Sequence, residues 1–132
     1  MTGNEKRQIV AWLALPVAGV GNGVLRDTTY GRSMSEDLSH SVSLVPLCVA
    51  ILAWARFLGK RWPVSGPKAA LRVGLVWLTL TIAFEFGLGA LRGVPMRDML
   101  AEYNVLRGRL WVLAPLITGL APRIALDEGE RR

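Results

Sequence analysis

Cysteine is nearly absent from this chain. Cys48 stands alone in an apolar run, which excludes an internal disulfide and a cysteine-based metal site and reads as a buried, inert thiol. Histidine is as scarce: His40 has no companion histidine or cysteine, and a lone imidazole argues against a metal centre. A Ser-His-Asp arrangement is missing too, because Ser39 and His40 are sequence neighbours whose side chains point apart. The glycine-rich G-V-G-N-G from Gly19 to Gly23 lacks the Lys-Ser/Thr pair and the preceding strand of a phosphate loop. Bases outnumber acids, 16 to 10, but they are not clustered with stacking aromatics, so nucleic acid is not the expected partner. No cofactor is required by any of these patterns, and no catalytic constellation emerges.

What is present is apolar sequence in quantity. Of 132 residues 52% are hydrophobic, and the mean hydropathy is +0.34 although 20% are charged. Charges and apolar residues must therefore be segregated into blocks, as in a small multi-pass membrane protein with short charged loops. At about 20 residues per span, the length accommodates four transmembrane helices, expected at about 9–25, 40–58, 72–91 and 110–126. The expected fold is an all-α integral membrane bundle forming a single transmembrane domain.

The first span follows a short polar leader carrying Lys6 and Arg7. Bases before an apolar run, with small residues near Ala18 to Gly21, also fit a cleavable signal peptide. The apolar character continuing through Val24 and Leu25 favours an uncleaved span. Pro16 and the glycines predict a kink near Pro16 or local unwinding at Gly21 to Gly23, and a face that lets another helix approach closely. Ser35 is placed to open a short helical lead-in to the second span. Between the third and fourth spans, Pro95 is expected at the first position of a short helix. Met96, Met99, Leu100 and Tyr103 fall on one face of it, the pattern of a helix lying in the membrane interface. A plain surface helix is the alternative.

Orientation follows from the bases. The N-terminus, second loop and C-terminal tail hold Lys6, Arg7, Arg56, Lys60, Arg61, Lys68, Arg72, Arg123, Arg131 and Arg132. The first and third loops hold Arg26, Arg32, Arg92, Arg97, Arg107 and Arg109. Ten against six predicts that both termini are cytoplasmic.

One carboxylate, Glu85, lies inside the third apolar helix, where an ionisable group is costly and marks a functional site by default. It shares a stripe with Thr81, Gly89 and Arg92 at three- and four-residue steps. With the orientation above, Asn22, Arg26, His40, Glu85, Tyr103, Asn104, Arg107 and Arg109 gather towards the external side. They form the candidate ligand site. Arg26, Arg107, Arg109 and His40 are the candidate partners of Glu85. The bland alternative is a fixed Glu–Arg pair that locks the bundle.

The two halves also echo each other. W-L-A-L at Trp12 matches W-L-T-L at Trp77, G-N-G-V-L-R at Gly21 matches G-L-G-A-L-R at Gly87, and L-V-P-L at Leu44 matches L-A-P-L at Leu113. A tandem helical hairpin would produce this order. So would chance in an alphabet rich in Leu, Gly and Ala.

N-G-x-L-R at Asn22 to Arg26, a histidine opening the second span, F-E-F-x-x-G at Phe84 to Gly89 and E-Y-N-x-x-x-G-R-L-W at Glu102 to Trp111 resemble a family of small uncharacterised bacterial four-helix membrane proteins. The chain departs from it in a longer, more polar first loop and in Glu102, where aspartate is expected. The resemblance implies the four-helix fold and a bacterial inner-membrane location, and it brings no activity. The functional expectation is a non-enzymatic protein that binds a lipid head group or small anionic ligand, with membrane lipids as partners. The competing expectations are a proton-coupled transporter working through Glu85 as a homo-oligomer, and an accessory subunit docked on another membrane protein. Small four-helix multidrug exporters carry their membrane carboxylate in the first helix, unlike this chain.

Overall fold

The computed structural model describes residues 2–101 and 112–130, apart from the side chains of residues 36–37 and 127–130. Every regular element among them is helical: α1 (Gly3–Val10), α2 (Ala14–Thr28), α3 (Glu36–Arg61), α4 (Pro67–Leu91), α5 (Met96–Ala101) and α6 (Leu113–Glu130). Among the described residues, three stretches are long and apolar enough to cross a membrane: Gly3–Thr28, Leu38–Arg61 and Pro67–Leu91. Leu113–Leu126 is a shorter apolar helix.

The polar leader is part of the first helix. Thr2 and Glu5 form a reciprocal capping box: the Glu5 amide donates to Thr2 Oγ1 (3.2 Å) and the Thr2 amide to Glu5 Oε2 (2.8 Å). α1, a 3₁₀ turn at Ala11–Leu13 and α2 then run end to end. The tightened turn has a local cause. Pro16 has no N–H to give the Trp12 carbonyl, and its ring crowds that oxygen. The unwinding expected at Gly21 to Gly23 does not occur, for α2 is continuous to Thr28. In α3 the Ser35 hydroxyl accepts the Leu38 amide (3.2 Å), and the expected lead-in merges with the span behind it. α4 ends as its L-R-G-V-P sequence dictates. Gly93 takes φ 75°, its amide donates to the Ala90 carbonyl (3.1 Å), and the Val94 amide reaches back to Gly89 (2.9 Å). Pro95 follows, immediately before α5 rather than as its first residue.

α6 packs between α3 and α4 and touches both along its length, while α2 lies on α3 and α1 on α4. The core runs through this arrangement. Val73 and Trp77 of α4, Ile51 and Leu58 of α3, and Ala114 and Ala121 of α6 are all buried. The close approach between helices belongs to α4 and α6, not to the glycines of the first helix. A Cβ at Gly74 would run into the Gly119 carbonyl oxygen, and one at Gly119 would sit 3.2 Å from Leu78 Cβ. Gly19 and Gly21 have nothing within 4 Å of the position a Cβ would take.

The consequence for function is geometric. The rod formed by α1 and α2 touches α4 with its first part and α3 with its last part. It therefore leans away from α4 along its length and leaves a cleft between α2 and α4.

Candidate functional site

The cleft has a volume of about 620 Å³. α2 contributes Leu15, Pro16, Gly19, Val20, Gly23 and Val24 to its wall, α3 contributes Leu47 and Ile51, and α4 contributes Phe84, Leu88 and Gly89. The floor is Trp12 and Thr81. The indole N–H of Trp12 donates to Thr81 Oγ1 (2.9 Å), and the Trp12 ring meets Phe84 edge-on at 6.3 Å. This cross-tie closes the cleft where the rod still lies near α4. At the other end the lining turns polar, with Arg26, Asp27, His40, Glu85 and Arg92.

Thr81, Glu85, Gly89 and Arg92 all line the cleft, as their helical spacing predicts. Glu85 is half-buried in the α4 wall. Arg26 is held by two neighbours. Its side chain is 12% exposed, Nε donates to Asp27 Oδ1 (2.9 Å), and Nη1 reaches Ser43 Oγ (3.4 Å). Ser43 is fully buried and is the hub of this corner. Its hydroxyl donates to the His40 carbonyl (2.9 Å), and its own carbonyl accepts the Asn22 amide (3.0 Å). Asn22 therefore ties α2 to α3 and is not among the cleft-lining residues. Met99 of α5 covers Gly89, so close that a Cβ there would strike its sulfur. Tyr103, Asn104, Arg107 and Arg109 lie outside the described residues. Asp27 and Arg92 belong to the cleft and were not among the residues expected to bind a ligand.

A second polar group, at the opposite end of the molecule, was not expected at all. Glu5 has no solvent-exposed side-chain surface, and both Nε (3.0 Å) and Nη2 (2.9 Å) of Arg72 donate to its Oε1. Around it, Gln8 Nε2 donates to the Trp62 carbonyl (2.7 Å), Asn4 Nδ2 to the Pro63 carbonyl (2.8 Å), and Trp77 Nε1 to the Gln8 carbonyl (3.0 Å). The only advance signal was the T-x-x-E capping box at Thr2. These bonds clasp α1 to α4 and to the connection behind α3, so the first part of the rod is held on α4 while its last part lies on α3.

Chemically, the cleft offers cations and carboxylates above an apolar wall. Among the described residues no group of three or more His, Cys, Asp and Glu is arranged to hold a metal ion. Compared with known protein families, with curated proteins and with solved structures, the chain finds no match.

Proposed function

We propose that this is a four-span inner-membrane protein, with both termini cytoplasmic and α5 in the outer interface, that binds a lipid head group or small anionic ligand at the polar end of the cleft. The observation that carries the reading is the union of an apolar wall with Arg26, His40 and Arg92 in one cavity. Guanidinium groups suit phosphate and carboxylate through paired N–H donors, and about 620 Å³ lies within the usual range of ligand sites. The outward faces support the bilayer setting. Val17, Val45, Val49 and Leu75 are 72%, 66%, 62% and 64% exposed, an apolar surface that lipid tails would cover. The excess of bases at the termini and second loop supports the orientation.

The test is native mass spectrometry of the full chain extracted in mild detergent, comparing wild type with Arg92→Ala and Arg26→Ala. Co-purified phosphate-bearing lipid should fall in both variants. Equal retention in all three proteins removes the reading. Glu85, half-buried in the cleft wall, supports one alternative, a proton-coupled transporter. Proton flux in liposomes that is lost in Glu85→Gln would favour it over simple binding.

A further inference from the structure

The polar end of the cleft carries both signs of charge. Arg26 and Arg92 are accompanied by Asp27 and Glu85. A purely anionic group would gain from the guanidinium groups and meet Glu85 at the same time, Asp27 being already paired with Arg26 at 2.9 Å. A head group bearing a phosphate and an ammonium satisfies both sets. Below the rim the cleft is apolar and long. From Arg26 down to Trp12 the rod covers about 20 Å at ~1.5 Å per residue, against roughly 15 Å for one leaflet of a ~30 Å hydrocarbon core. Small residues make the room: nothing lies within 4 Å of a Cβ at Gly19, and at Gly23 only the end of Arg26 does. α2 and α4 meet at few points among the described residues, so a chain can enter sideways from the bilayer.

Resting on the head-group reading above, we propose that the cleft holds one acyl chain of a zwitterionic phospholipid from the surrounding bilayer. Its phosphate lies towards Arg92 and Arg26, and its ammonium lies towards Glu85. The chain follows the Gly19 and Gly23 side of α2 down to Trp12 and Phe84.

The test uses two glycines of one helix. Gly19 lines the cleft and Gly21 does not, and a Cβ at either meets nothing within 4 Å; far-UV circular dichroism checks that both leucine variants keep the wild-type helix content. Delipidated full-length protein is titrated with phosphatidylethanolamine, with phosphatidylglycerol of the same chains, and with chain-free glycerophosphoethanolamine. Binding is read by native mass spectrometry. Wild type should prefer phosphatidylethanolamine. Gly19→Leu should weaken it about tenfold, the effect of excluding a couple of methylenes, while Gly21→Leu leaves it unchanged. Glu85→Gln should erase the preference between the two lipids.

If Gly19→Leu binds as wild type does, or if Gly21→Leu loses as much, the chain placement is overturned. The head-group reading then survives only if Arg92→Ala still loses lipid or binding of the chain-free head group. Equal or better binding of phosphatidylglycerol overturns the zwitterionic assignment alone.

Discussion

Replacing Gly74 by alanine should destabilise the bundle, although alanine is the better helix former. The Cβ would run into the Gly119 carbonyl oxygen and come within 3.7 Å of Pro122 Cδ. A backbone carbonyl in a packed helix cannot rotate aside, so α4 and α6 must separate. Overpacking of this kind costs about 1–3 kcal/mol, and a backbone obstacle belongs near the top of that range. Helix propensity returns up to about 1 kcal/mol. The net is roughly 2 kcal/mol of destabilisation. Gly19→Ala is the matched control, since nothing lies within 4 Å of its Cβ and only the propensity gain remains. The two variants should differ by about 3 kcal/mol, on the order of a hundredfold in the unfolding constant. Equilibrium unfolding in mixed micelles, followed by far-UV circular dichroism, measures both. Should Gly74→Ala stabilise as much as Gly19→Ala does, the close crossing of α4 and α6 is wrong.

Three other experiments address the cross-ties. Trp77→Phe removes the indole N–H that satisfies the Gln8 carbonyl, leaving that oxygen unpaired beside a fully buried ring at a cost of about 1–3 kcal/mol; unchanged unfolding would discount the bond. Arg72→Ala strips both guanidinium donors from Glu5, and amide exchange over Thr2 to Gln8, read by mass spectrometry, should accelerate. Exchange as slow as in wild type would show that Arg72 does not hold the clasp. A double-mutant cycle of Trp12→Phe with Thr81→Val should return a coupling of about 1 kcal/mol for their hydrogen bond. Simple additivity would place the two side chains out of contact.

The three long apolar helices were legible because they follow from local pattern, whereas the helical leader from Gly3 was not. Ser35 before the second long helix acts within a turn of its own position. The stripe from Thr81 to Arg92 was legible for the same reason, since helical spacing alone places its members on one face. The glycines of α2 misled. Small residues signal close packing or empty space equally well, and the choice depends on which helix stands opposite. Here Gly74 and Gly119 make the close crossing, whereas Gly19 borders a cleft. Asn22 gives its side-chain amide to the Ser43 carbonyl on a neighbouring helix, a contact that local spacing does not reveal.

Glu5 makes the same distinction at the other end of the chain. Sequence placed it in a polar leader, where a carboxylate is ordinarily solvated. Its complete burial needed Arg72, sixty-seven residues away, and that pairing exists only because α1 folds against α4. The long apolar helices and the carboxylate Glu85 in the third of them were readable from the chain, because each rests on hydrophobic patterning along a few turns. Tertiary structure alone decided that the first helix is clasped at one end and leans away at the other. That lean results from bonds between distant residues, and it is what turns Glu85 from a lone charge in a helix into the wall of a cleft.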